Sequence, residues 1–258
     1  MSRLEQNLRA VRARLEAAAR AAGRDPATVA LLAVSKTWPA EDVAALVAAG
    51  QRDFGENRVQ ELVAKAAALP DLPVRWHFIG QLQRNKAAAV ARLGAVVHSV
   101  DRPQLAAVLD RAGQEGKAPV PVFVQVDLGG VPGELGERGG VAPSDVPALA
   151  DAVAAAPGLR LLGLMAVAPR GAEPGPAFER LAALADRVRA DHPGAVELSA
   201  GMSGDLEAAV AAGATVVRVG TALFGDRPLP SGVIEDHQPL ESQQHHASRM
   251  PPGDGALR

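Results

Sequence analysis

LLAVSKTWP, residues 31–39, decides how the rest of the chain is read. The apolar run ALLAV at 30–34 leads straight into Ser35, Lys36 and Thr37; Trp38-Pro39 then ends the run, and Ala40-Glu41-Asp42 opens an amphipathic helix. A short apolar run with no polar alternation describes a strand covered on both faces. Lys36 therefore stands at the C-terminal end of a buried strand, the end at which α/β barrels and open parallel sheets keep their chemistry. A lysine in apolar surroundings there can be held partly neutral and form a Schiff base with an aldehyde. A strand-end lysine can equally reach solvent, so the stretch needs the rest of the chain to decide between the two.

Upstream, Leu4, Leu8, Val11, Leu15 and Ala18 recur at helical spacing among charged residues, predicting an amphipathic helix ahead of the first strand. Downstream, strands are predicted over 29–34, 52–55, 74–79, 95–100, 120–126, 159–167, 195–198 and 215–219, each followed by a helical segment. A glycine-rich loop, 127–140, follows the fifth strand. Eight short buried strands alternating with helices predict a single (β/α)8 TIM barrel carrying an extra N-terminal helix; a doubly wound open sheet is the structural alternative. The pattern stops after Gly225. The barrel is expected over residues 1–227, and the proline-rich stretch 228–258 is expected to be a disordered tail. His245 and His246 lie in that tail without the converging ligands and supporting shell of a metal site, so no metal role is assigned to them.

Composition excludes several function classes. At 258 residues, 48% of them hydrophobic, the chain suits one barrel of about 250 residues. A formal charge of −2 gives no electrostatic basis for capturing nucleic acid or an anionic membrane. With no cysteine there is neither a disulfide nor a thiolate metal site. The N-terminus MSRLEQNLRAVRARLE is charged throughout, unlike a signal peptide, and no apolar run approaches the roughly 20 residues that span a bilayer. A cytoplasmic location is expected.

The candidate chemistry falls at strand C-terminal ends. Ser199-Ala200-Gly201-Met202-Ser203 and Gly220-Thr221 follow the predicted strands seven and eight, whose loops commonly bind phosphate in barrels. Glycines admit close backbone approach, and the Ser and Thr hydroxyls add donors; ordinary turn and capping chemistry would use the same residues. Arg218 is flanked by valines on a strand that should be buried, so its guanidinium must meet an acceptor. That acceptor is either a carboxylate inside the barrel or the ring nitrogen of a cofactor. Asn57 and His77 end strands two and three; Asn57 can bond a ring oxygen, and His77 is read as packed and satisfied or as lining the pocket. A lysine-bound aldehyde, a phosphate cradle and a buried arginine together describe pyridoxal 5′-phosphate (PLP).

VSKTWP, FGENRVQE, WHFIGQLQRNK, HSVDR, GLMAVAP and LSAGMSGDLEAAVAAGATVVRVGTALFG occur in that order, and with them the chain resembles the YggS/PROSC family of PLP homeostasis proteins over residues 1–227. The resemblance implies a barrel like the N-terminal domain of alanine racemase, binding PLP as a covalent aldimine on Lys36. Phosphate contacts would fall on Ser199, Met202, Ser203, Gly220 and Thr221, with Arg218 at the pyridine nitrogen and Asn57, His77 and Met165 completing the pocket. It implies an intracellular role in PLP (vitamin B6) homeostasis, with release of PLP to apo PLP-dependent enzymes, no established catalysis, and a monomer or weak dimer.

The chain departs from the family pattern in three places. The loop after strand five reads Gly129-Gly130-Val131-Pro132-Gly133-Glu134, with Arg138 where the family has a lysine; arginine cannot form a Schiff base. Arg58 replaces a frequent tyrosine, and SAGMS replaces SMGMS. The alternative function is a PLP-dependent racemase of the same barrel type. Such an enzyme needs a second base, a tyrosine from an added β-domain; the chain has no tyrosine, and the residues after Phe224 are too few for that domain. An unrelated aldolase-like Schiff-base barrel would not require the phosphate loops together with Arg218.

Overall fold

The computed structural model describes residues 1–129 and 139–225. Arg138 and the stretch 228–258, with His245 and His246, lie outside the described residues. Eight parallel strands close into a barrel in sequence order: β1 (Ala30–Val34), β2 (Asp53–Glu56), β3 (Arg75–Phe78), β4 (Val96–Val100), β5 (Val120–Val126), β6 (Leu159–Ala166), β7 (Glu197–Ser199) and β8 (Val216–Val219). Around them lie α1 (Arg3–Ala21), α2 (Ala40–Ala48), α3 (Val59–Ala68), α4 (Arg84–Arg92), α5 (Pro103–Glu115), α6 (Val146–Ala154), α7 (Pro174–Asp191), α8 (Leu206–Ala211) and α9 (Thr221–Phe224). The barrel, and not the doubly wound sheet, is the fold: β8 pairs with β1 and leaves no edge.

Strand alternation divides the core in two. Leu32, Val96, Phe123, Met165 and Val216 form an apolar plug inside the barrel. Their neighbours along the same strands, among them Leu31, Ala33, Val97, Val122, Leu164 and Val217, join the larger cluster between barrel and helices. Both faces of each strand are thus covered, the reason the strands read as unbroken apolar runs. Most strand ends lie within one residue of expectation, and the largest difference is at β7, which begins at Glu197 and includes Ser199. Ala195 is held back in a turn by its N–H to His192 O (2.9 Å), while β6 fixes the pairing at Gly163↔Glu197 through Met165↔Ser199.

The N-terminal helix closes the outer ring. Ser2 and Glu5 form a capping box at its start, and Leu4, Leu8, Val11, Leu15 and Ala18 are buried at the spacing read from the sequence. Its polar face also works. Arg3 and Asn7 donate to Phe224 O (2.7 Å) and Leu223 O (2.8 Å), and Arg14 donates to Ser203 O (2.7 Å) while pairing with Glu207. The extra helix therefore braces the loops that follow β7 and β8.

Gly163 follows a bulge of β6 against β5, where the register shifts between Val122↔Leu161 and Phe123↔Gly163, and it lies close against β7. Its φ is +150°, and a Cβ there would sit 1.8 Å from Glu197 O. Gly163→Ala should therefore lower stability by on the order of 3 kcal/mol or prevent folding; a urea melt within 1 kcal/mol of wild type, taking that as roughly the size of an ordinary surface change, would contradict this account of Gly163.

Candidate functional site

The turn after β1 carries Lys36. Alternation from Leu32 through Val34 aims Lys36 into the barrel mouth and leaves Ser35 facing outward. Trp38 N–H donates to Ser35 O (3.1 Å), closing a four-residue turn, and Thr37 at its centre has φ of +69°. A β-branched residue in the left-handed region is strained by about 1–3 kcal/mol and persists only where its surroundings enforce it.

A buried ion pair beneath the turn enforces it. Lys65 of α3 donates to Glu56 Oε1 (2.5 Å) and Ser35 O (2.7 Å); the Ser35 hydroxyl donates to the same Glu56 oxygen (2.6 Å). Glu61 Oε2 accepts from the strained Thr37 N–H (2.9 Å). Glu56 is wholly buried, and its Oε2 has no partner among the described residues. Burial pushes the Glu56 carboxyl up from its ordinary range, against the opposing pull of Lys65 and Ser35. Backbone strain at the site is thus held by charges on the outer face of the barrel.

A cavity of about 240 Å³ opens at the mouth, lined by Val34, Lys36, Ile79, Met202, Ser203, Gly204, Arg218, Gly220 and Thr221 among others. Opposite Lys36, the backbone N–H groups of Ser203, Gly204 and Thr221 donate to nothing among the described residues, nor do the hydroxyls of Ser203 and Thr221. Gly201 makes the approach of this loop possible: its φ is +88°, and a Cβ would meet Ala209 Cβ at 2.5 Å. Uncommitted N–H and O–H donors converging on one wall form a cradle for an anion.

Arg218 rises from β8 into the floor of the cavity, 4% exposed. One terminal nitrogen donates to Ser199 O (2.8 Å) and Ser199 Oγ (2.7 Å), the other to Ala166 O (2.8 Å). No carboxylate among the described residues accepts from it, so none of them forms the internal ion pair that the sequence leaves open. Burial lowers its pKa to about 10, leaving it a cation at neutral pH. Three of its five N–H groups are used, and the others remain for an acceptor in the cavity.

Of the sequence candidates, the structure brings Lys36, Met202, Ser203, Arg218, Gly220 and Thr221 to one cavity. Ser199 is fully buried under Arg218, so its hydroxyl faces the guanidinium instead of the anion cradle. Met165 lies in the barrel plug and lines an adjoining cavity that shares Ile79, Met202 and Gly204 with the first. Asn57 is exposed and lines neither cavity; its backbone supports Gly80, where a Cβ would lie 2.2 Å from Asn57 O. His77 lies deeper, bonded to His98 (2.9 Å) and Asp53 (2.9 Å). Nothing in the sequence marks a partner for His77, although His98 in the apolar strand AVVHSV and Glu56 at the end of a buried strand carry the same anomaly as Arg218: a polar residue in a buried run.

No group of histidine and acidic residues able to hold a metal ion occurs among the described residues, and no described helix is long and apolar enough to cross a membrane. The family profile "Alanine racemase, N-terminal domain" matches residues 6–228. The chain is 49% identical over 227 residues to a protein of Pseudomonas aeruginosa named "Pyridoxal phosphate homeostasis protein", covering 88% of this chain and 97% of that one. Among solved structures it is similar to PipY of Synechococcus elongatus with PLP bound, at a TM-score of 0.75 and 38% identity over 86% of this chain and all of that one. The alanine racemase of Streptomyces coelicolor superposes at a TM-score of 0.67 with 26% identity, and the match covers 86% of this chain but 58% of the racemase. With the closed barrel, the strand-end lysine and the motif order all in agreement, the chain belongs to the alanine racemase N-terminal-domain family, and within it to the pyridoxal phosphate homeostasis proteins.

Proposed function

We propose that this chain binds PLP in the Lys36 cavity and serves PLP homeostasis by holding the cofactor and releasing it to apo PLP-dependent enzymes. The observation that carries this reading is the convergence on one cavity of Lys36, an uncommitted N–H and hydroxyl cradle, and a buried arginine with donors to spare. Those residues fit the cofactor: Lys36 Nζ for a Schiff base with the aldehyde, Ser203, Gly204, Gly220 and Thr221 for the phosphate, and Arg218 for the pyridine nitrogen. When bound, PLP supplies an aldehyde that an amine takes up reversibly. The names of the relatives, and the PLP-bound PipY structure, support the same assignment.

The composition of the cavity favours carriage over catalysis. Among its described lining residues there is no carboxylate, histidine or tyrosine, so a proton opposite Lys36 has no base to receive it. Arg218, a cation at neutral pH, donates a hydrogen bond to a ring nitrogen without transferring its proton, which leaves the ring a weak electron sink. Both features argue against the racemase alternative. In this proposal the barrel over 1–227 does the binding, and 228–258 form a separate tail.

Two measurements test the reading. Purified protein incubated with PLP should develop a visible absorption band that borohydride fixes onto Lys36, and Lys36→Ala should lack it; wild type without a band would sink the cofactor assignment. Loaded protein should pass PLP to an added apo-enzyme, and retention of all its PLP would refute the release step. The clamp beneath Lys36 makes a separate demand. Lys65→Met leaves Glu56 as a buried unpaired charge and should lower stability by about 3–5 kcal/mol, with most of that recovered in the Glu56→Gln, Lys65→Met double variant; equal losses in the single and double variants would show that the pair is not coupled.

A further inference from the structure

Arg218 is one end of a chain of polar groups that crosses the barrel interior. The Arg218 terminal nitrogen meets Ser199 Oγ at 2.7 Å, Ser199 Oγ meets His98 Nδ1 at 3.0 Å, His98 Nε2 meets His77 Nδ1 at 2.9 Å, and His77 Nε2 meets Asp53 Oδ1 at 2.9 Å. Four strands beyond β8 contribute: Ser199 from β7, His98 from β4, His77 from β3 and Asp53 from β2. Ser199 and His98 are fully buried and His77 is 6% exposed. His98 is also stacked on Phe123, with ring centroids 4.4 Å apart. Asp53 is anchored from outside by Arg75, which donates to both of its carboxylate oxygens.

The ends fix the direction of every bond between them. Arginine only donates, so Ser199 Oγ accepts from it; an ionised aspartate only accepts, so His77 Nε2 carries a proton. If both imidazoles are neutral, His77 Nδ1 is then an acceptor, His98 Nε2 donates to it, and His98 Nδ1 accepts the Ser199 hydroxyl proton. Each donor has an acceptor and none is left over. Were either imidazole doubly protonated, His98 would turn an N–H toward Ser199 or His77 would turn one toward His98. In the first case the serine hydroxyl proton loses its acceptor; in the second His98 must change tautomer, with the same result. A buried unsatisfied hydroxyl and an added positive charge near Arg218 both oppose that state.

We infer that Asp53, His77, His98 and Ser199 are positioning residues for Arg218: a hydrogen-bond chain running one way from the guanidinium to the Asp53 carboxylate fixes which of its donors are spent inside the barrel and which face the cofactor. The chain connects a buried cation to an anion on the far side of the apolar plug, so the guanidinium is compensated without a carboxylate beside the ring nitrogen. The charged groups around His98 agree with its neutrality. Burial drives its pKa well below the ordinary imidazole value, and the Arg218 cation pushes it the same way. At the far end, burial pulls Asp53 up but the bonds from His77 and Arg75 outweigh it, holding its pKa at about 2 and keeping it an acceptor. Because His98 takes up a proton only on unfolding, it withdraws stability as pH falls through its unfolded value near 6.5, and restores it above that value.

This inference rests on the PLP reading, and its test separates the two. Two-bond proton–nitrogen spectra of histidine-labelled protein without PLP, with His98→Gln used for assignment, report tautomers independently of the cofactor. They should show His77 and His98 neutral and protonated on Nε2 at pH 7; an imidazolium, or Nδ1–H on His98, would overturn the inference. PLP titration followed by absorbance should then show Ser199→Ala binding roughly tenfold more weakly than wild type, about the worth of one hydrogen bond to a charged group. Ser199→Thr, which restores the hydroxyl on a strand that tolerates β-branching, should regain most of that affinity. Ser199→Ala equal to a wild type that binds PLP overturns the positioning role alone. A wild type that takes up no PLP overturns the cofactor reading and this inference with it, whatever the tautomers.

Discussion

The pairing of β8 with β1 is the constraint on which the site depends. It closes the barrel and sets Arg218 beside Leu32 and Val219 beside Ala33, so Arg218 and Gly220 share an inward face with Val34 and, beyond it, Lys36. A slip of one residue would turn Arg218 out into the helix layer and bring a valine to the cavity. Nothing in either strand alone demands that register; the ladder and the plug of Leu32 and Val216 inside it do.

Around this wall the molecule separates two electrostatic problems. Outside the barrel, the Glu56–Lys65 pair holds the strained Ser35-Lys36-Thr37 turn. Inside it, the path from Arg218 to Asp53 disperses a buried cation over neutral groups. The two lie on opposite faces of the same strands: Gly55 and Asp53 face inward on β2 while Glu56 faces α3. Alternation is what allows two buried charged networks to coexist a few residues apart without neutralising one another.

The extra N-terminal helix shows how an element outside the repeated strand–helix pattern serves the site. Its apolar stripe attaches it to the ring, and Arg14, Arg3 and Asn7 then bind the carbonyls of Ser203, Phe224 and Leu223. Those carbonyls belong to the loop and helix that follow β7 and β8, so the brace acts on the same segments that present donors to the cavity. Within the loop after β7, Met202 N–H donates to Asp205 Oδ1 (2.5 Å) and Asp205 N–H to Met202 O (3.2 Å); the helix adds support where the N–H groups of Ser203 and Gly204 stay open.

By itself the sequence determined eight alternating strand–helix units, because burial on both faces writes each strand as an apolar run and turn residues mark its ends. It also singled out Lys36 and Arg218 as candidates, because a cation in or at the end of such a run has to be accounted for. Only the tertiary structure decided what surrounds them. Ser199 reads as a cradle residue but proves to be a link beneath Arg218; His77 has no sequence neighbour to pair with and finds His98 and Asp53 from other strands. Lys65, on the helix after β2, is buried on Glu56. The reason is the same in each case: a polar side chain in a strand announces that it needs a partner, but which partner it meets is set by barrel closure and register, and those depend on all eight strands together.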